Sequence, residues 1–159
     1  MKKTRNLWLE ILNQEDYFKK EKAIVSSSII RFLNLKLSQF NKFEYLDILV
    51  EHYIDLNCFS QIISLLPQIR ERLLNFNSQQ GRIEYFKKFS LNSQKFIDAD
   101  NSFAILLAKI AYDANLYCEA LKFINFSIES TEDVIFAKAL ILNRCERFNE
   151  SIDYVQQNI

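Results

Sequence analysis

Apolar residues recur along this chain at intervals of three and four, the spacing of one helix face. Leu7, Trp8, Ile11 and Leu12 predict a first helix, with Thr4 as its N-cap and Asn13-Gln14 as its stop. Asp16 caps a longer second helix, whose apolar positions run from Tyr17 and Phe18 through Ile29, Ile30 and Leu33 to Leu37. Ser26-Ser27-Ser28 lowers helix propensity inside it without forbidding helix. A third helix over 44–56 turns Leu46, Leu49, Val50 and Tyr53 inward, and Asn57 permits a turn. Phe59, Ile62, Ile63, Leu65, Leu66 and Ile69 mark a fourth, with a kink or break predicted just before Pro67. After Asn77-Ser78 a shorter helix holds Ile83, Tyr85, Phe86 and Phe89. Residues 92–102 read as a loop with at most one or two turns around Phe96 and Ile97.

From Ser102 the pattern becomes regular. Phe103, Leu106, Leu107, Ile110 and Ala111 mark one helix, and Tyr117, Ala120, Leu121, Ile124 and Ile128 the next. Ser130 or Thr131 caps a third, with Glu132 and Asp133 in the first turn, where the helix dipole favours acids. Phe148, Ile152, Val155 and Ile159 form the stripe of a last helix, and Tyr154 lies off it. Shifted by 31 positions, this part of the chain overlays itself: Ala108 on Ala139, Tyr117 on Phe148, Glu119 on Glu150, Ala120 on Ser151, Leu121 on Ile152 and Ile124 on Val155. Small residues recur where two helices approach closely. A fainter echo lies upstream in Leu49, Tyr53, Phe59, Ile62 and Leu66.

The stretch Leu107-Ala108…Ala111…Tyr117-Cys118-Glu119-Ala120-Leu121…Ile124…Ser127 resembles a tetratricopeptide (TPR) repeat, and Ala139…Phe148-Asn149-Glu150-Ser151-Ile152…Val155 resembles a second, degenerate unit. The period is 31 rather than the family's usual value of about 34. Glu132 stands where a proline commonly ends a unit. The resemblance covers residues 102–157. It implies an all-α chain of about 8–10 helices, built as antiparallel hairpins stacked into a short TPR-like α-solenoid. On this reading residues 1–159 are a single helical domain, irregular over 1–97, with two TPR-like hairpins over 102–157. One helix of each hairpin would line a groove that holds a peptide or partner helix. The matched positions are Ile105, Lys109, Tyr112 and Asp113 in one unit and Phe136, Leu140, Asn143 and Arg144 in the next.

Composition narrows the functions on offer. One glycine and one proline stand where average usage gives roughly ten and eight, so glycine-rich phosphate loops are excluded and β-sandwiches disfavoured. Twenty basic and twenty acidic residues balance, which leaves none of the net positive charge that nucleic-acid binding usually requires. The balance is uneven, however: residues 1–43 carry nine basic and four acidic groups, residues 98–159 five basic and ten acidic. The short basic runs Lys19-Lys20-Glu21-Lys22 and Lys87-Lys88 read as solvated helix faces. Cys58, Cys118 and Cys145 are widely spaced and read as small buried hydrophobes, and one histidine, His52, cannot complete a zinc site with them. No nucleophile signature accompanies His52. The carboxylate pairs Asp98/Asp100 and Glu132/Asp133 fall at helix starts and read as caps.

The expectation is a soluble, cytoplasmic, non-enzymatic protein-interaction module, an adaptor, chaperone or assembly subunit. It would have no cofactor or metal, no nucleic-acid partner and no membrane insertion. The alternatives are an accessory helical domain of a larger enzyme or complex, and a small hydrolase using His52. Phe148 and Tyr154 mark an end surface for a second copy or a different protein.

Overall fold

The computed structural model describes residues 19–40, 42–127 and 131–158. Helix accounts for 84% of them, and no strand occurs among them. Among the described residues nine helices follow in order: α1 (Lys19–Phe40), α2 (Phe43–Asp55), α3 (Phe59–Leu74), α4 (Gln79–Asn92), α5 (Gln94–Ala99), α6 (Ser102–Asp113), α7 (Tyr117–Ile124), α8 (Glu132–Arg144) and α9 (Phe148–Asn158). The predicted first helix and the start of the second lie outside the described residues. Neighbouring helices pack on one another within each part of this all-α chain: α1 on α2, and α4 to α9 in succession. The chain divides into two compact units, Met1–Leu65 and Leu66–Ile159.

In the first unit α1 packs on α2. Leu33 and Leu37 of α1 are buried, as are Leu46, Leu49 and Val50 of α2. Asn34 Nδ2 donates to Tyr53 Oη at 3.1 Å and ties the two helices at their wet edge. The triple serine stays helical because Ser26 turns inward, whereas Ser27 and Ser28 face solvent.

Of the kink or break expected just before Pro67, the break does not occur: α3 continues through the proline. Pro67 is exposed, so the carbonyl it leaves without a helical partner can take water instead.

In the second unit Ile69, Leu73, Phe86, Phe103 and Leu107 are almost wholly buried. Phe86 meets the edge of Phe123 at 5.4 Å, and Phe96 that of Phe103 at 6.1 Å, the edge-to-face geometry that ring quadrupoles favour. α5 is the short helical turn expected around Phe96 and Ile97, both of which are buried. Ala108, Ala111 and Ala120 are 1% exposed or less, and they let α6 and α7 approach closely. Ala139 is also buried, and its carbonyl accepts from the Ser151 hydroxyl at 2.8 Å across the α8–α9 hairpin.

Three helix ends share one turn. Asn57, Asn115 and Glu146 take φ values of 58°, 63° and 60°, the left-handed region, just past α2, α6 and α8. Behind each, two backbone bonds close the helix: Cys58 N to Tyr53 O, Leu116 N to Ala111 O and Arg147 N to Leu142 O, at 2.8–2.9 Å, and a shorter loop from each left-handed residue at 3.0–3.1 Å. This is the Schellman closure, usually built on glycine. The next helix opens two residues later on an aromatic each time: Phe59, Tyr117 and Phe148. The second and third copies lie at the 31-residue spacing of the sequence repeat.

Helix starts use the expected side chains. Ser78 Oγ accepts from Gly81 N at 3.0 Å, Thr131 Oγ1 from Val134 N at 3.4 Å and Asp100 Oδ1 from Ser102 N at 3.0 Å. Arg82 of α4 serves helix ends instead. Its guanidinium donates to the carbonyls of Leu74 (3.1 Å), Phe76 (3.2 Å) and Ala114 (3.2 Å), at the C-termini of α3 and α6.

Candidate functional site: a groove between α6 and α8

The tight turn at Asn115 commits α6 to pack its alanines against α7. The opposite edge of α6 then presents Ile105, Lys109 and Tyr112, at the i, i+4, i+7 spacing of one face. α8 presents Asp133, Ala137, Leu140 and Ile141. Between these edges lies a groove of about 320 Å³, completed by Ala108, Val134 and, from α7, Ile124. That volume reaches the lower end of the range in which ligand pockets fall. Its lining is almost entirely aliphatic, with charge confined to Lys109 and Asp133.

Tyr112 is held from two sides. Its ring meets Tyr117 at 5.4 Å, and its hydroxyl accepts from Arg144 Nε at 3.4 Å. That hydrogen bond, with the nearby Tyr117, raises the Arg144 guanidinium pKa further above its ordinary value. The groove thus offers hydrophobic burial beside a fixed phenol, an exposed cation and a carboxylate. A guest side chain gains about 0.8 kcal/mol for each methylene it buries there. Compared with protein-family models, curated proteins and solved structures, the chain matches none.

Of the eight groove residues expected from sequence, Ile105, Lys109, Tyr112 and Leu140 line this groove together. Arg144 joins through Tyr112. Asp113 turns to α3, where its carboxylate accepts from Arg70 Nε at 2.8 Å. Asn143 is exposed and outside the lining, and Phe136 is 70% exposed on α8. The lining stripe of α8 runs through Asp133, Ala137 and Leu140, one position away from the stripe read through Phe136, Leu140 and Asn143. Ala137 gave no signal by type. The i, i+4, i+7 spacing of 133, 137 and 140 was available and is what the fold uses.

The end surface differs from its expected arrangement. Ser151, Tyr154 and Val155 turn toward α8, and Phe148 and Ile152 remain 55% and 54% exposed. On that inward face the Ser151 hydroxyl donates to Ala139 O at 2.8 Å. Tyr154 is half-buried, with Lys138 Nζ 4.6 Å from its ring centre. Beside it, Lys138, Arg147, Glu150 and Asp153 border an open depression of about 310 Å³. Ile159 lies outside the described residues.

His52 is buried in α2. Among the described residues no three His, Cys, Asp or Glu side chains gather as a metal site. None of their helices is long and apolar enough to cross a membrane. The cysteines depart from the buried expectation: Cys118 is exposed, and Cys58 and Cys145 are half-buried. Burial first, and then the neighbouring Cys118, push the Cys145 thiol above its ordinary pKa.

Proposed function

We propose that the chain is a TPR-like protein-interaction module that takes a peptide or partner helix in the groove between α6 and α8, with no covalent step. The observation that carries this reading is the aliphatic groove bordered by Lys109, Tyr112 and Asp133. Peptide recognition uses such a combination, an apolar anchor for affinity and polar groups at the edge for orientation. The repeated Schellman turns and the 31-residue repeat support the TPR-like description, because each hairpin then presents its first helix on the same side. Binding would act by mass action, as in an adaptor, chaperone or assembly subunit working in the cytoplasm.

Selection of peptides from a displayed library against the full chain tests the proposal. Ala137→Trp fills the groove from a half-buried position without entering the core. Selected peptides should bind this variant at least about tenfold more weakly, a loss of roughly 1.4 kcal/mol. Phe136→Ala, outside the lining, should leave them unaffected. Equal binding to wild type and Ala137→Trp refutes the groove.

A further inference from the structure

The α8–α9 hairpin repeats the α6–α7 hairpin in register. Its left-handed turn residue, Glu146, and its second-helix start, Phe148, lie 31 residues after Asn115 and Tyr117. Ala108 and Ala120, at the close approach of the first pair, correspond to Ala139 and Ser151, which are hydrogen-bonded at 2.8 Å in the second. The shared register carries each face of the first hairpin onto a face of the second. On the first, Ile105, Lys109, Leu121 and Ile124 form the face that receives the next hairpin. Ile105, Lys109 and Ile124 border α8 in the groove, and Leu121 meets α8 and α9 at the depression. The counterparts are Phe136, Leu140, Ile152 and Val155. These positions are left open: Phe136 is 70% and Ile152 54% exposed, and Leu140 and Val155 are half-buried. Phe148, one turn before Ile152, is 55% exposed. The same register explains why Phe136 stays out of the groove that Ile105 lines.

Charge limits what this open face can meet. Lys109 of the inner face is replaced by Leu140. On α9 the residues adjoining Ile152 on its outer side, at i−3 and i+4, are the uncharged amides Asn149 and Gln156. Lys138, Arg147, Glu150 and Asp153 border the depression instead, and Asp133 the groove. Glu132 lies at the rim, one turn before Phe136. A highly charged partner finds no charge to complement at the centre of the face, whereas two copies of the face can meet with no like charges opposed there. The exposed parts of Phe136 and Phe148 offer on the order of 250 Å² per copy. Two copies meeting through them bury the apolar centre of an interface at the small, reversible end of the size range.

We propose that this face is the contact of a two-fold dimer, in which the α8–α9 hairpin of one copy stacks on the α8–α9 hairpin of a second copy. The proposal rests on the hairpin register and not on the peptide groove.

Sedimentation of the full chain across a concentration series tests it. The weight-average mass should rise from one chain and level off at two. Phe136→Glu, which brings two carboxylates to the contact from an exposed position, should weaken the dimer by roughly tenfold or more. Ile152→Gln should weaken it from the other helix, and circular dichroism checks that both variants keep their helix. Leu91→Gln, exposed on α4, and Ala137→Trp, which fills the groove, should dimerise as wild type does. Amides of α9 should exchange more slowly as the wild-type concentration rises, and those of Phe136→Glu should not. Because both copies use one face, immobilised wild type should capture Phe136→Glu several-fold more weakly than wild type. A chain monomeric up to about 1 mM overturns the proposal. It is overturned equally by a mass that climbs past two copies, by loss of association in Leu91→Gln, or by undiminished dimerisation of Phe136→Glu and Ile152→Gln.

Discussion

Replacing Arg82 with methionine keeps most of the apolar stem and removes the guanidinium. Three carbonyls at the C-termini of α3 and α6 then lose their donor at once. A hydrogen bond to a charged group contributes about 1.5–3 kcal/mol when its partner is left dry. Three independent bonds would therefore suggest a loss above about 4 kcal/mol. Arg82 is only part-buried, however, so water can reach some of the freed carbonyls. A further fraction of a kcal/mol goes with the cation's place at two negative helix ends. The expected cost of Arg82→Met is about 2–4 kcal/mol. Arg82→Lys retains the charge but replaces a planar fork with a single point of donation, and should cost about half as much. Arg70→Met is the internal comparison, because its single ion pair with Asp113 is partly open to solvent and should be worth less than about 1 kcal/mol. Urea unfolding followed by far-ultraviolet circular dichroism measures all three. With a slope of about 1.5 kcal/mol/M, Arg82→Met moves the midpoint down by roughly 1.3–2.7 M at constant slope. The reasoning fails if Arg82→Met stays within about 0.5 kcal/mol of wild type, or if Arg70→Met costs as much.

Three further predictions concern local backbone and polar groups. Glu146 holds φ at 60° with a side chain that gains nothing there, so Glu146→Gly should stabilise by about 0.5–1 kcal/mol, and a lower thermal midpoint would contradict this. The Ser93 hydroxyl is buried without a hydrogen-bond partner, so Ser93→Ala should be neutral or stabilising by about 1 kcal/mol; a loss above about 1 kcal/mol in urea would reveal a bond there. The Ser102 hydroxyl first, and then its backbone N–H, hold the Asp100 carboxyl below the usual carboxylate range. Its contribution is therefore complete above the unfolded value and is lost as pH falls through the lowered folded one. An NMR titration of the Asp100 carboxyl should show its midpoint rise in Ser102→Ala, and an unmoved midpoint would remove Ser102 as the cause.

The fold was largely legible because its signals are local. Apolar period, small residues at Ala108, Ala111, Ala120 and Ala139, and the caps at Ser78, Asp100 and Thr131 all act within one or two turns. Features that depend on tertiary placement were not. Arg82 reads from sequence as a surface cation, and only the convergence of two helix ends makes it a cap. Glu146 is not a turn residue by type, yet Arg147 N and Leu142 O can meet only if it turns left-handed. The proline break failed because burial elsewhere along α3 outweighs one lost hydrogen bond at an exposed position. The groove was half legible: α6 fixes its stripe through its own alanines, but the lining face of α8 runs through Ala137, whose type carries no signal.

α9 packs through Ser151, Tyr154 and Val155, yet none of its residues is fully buried. A helix so lightly held opens at a free energy well below that of the whole unit. Its amides should exchange with deuterium long before those of α6. The same opening sets how long the molecule survives. A protease or a processive unfoldase needs a loose segment to seize, and its rate of attack follows the population of the open form. Among the described helices, a protease that attacks the open form should therefore cut within α9, held by a side-chain bond to Ala139 and one aromatic ring, before it cuts the dense core around Phe86 and Phe103.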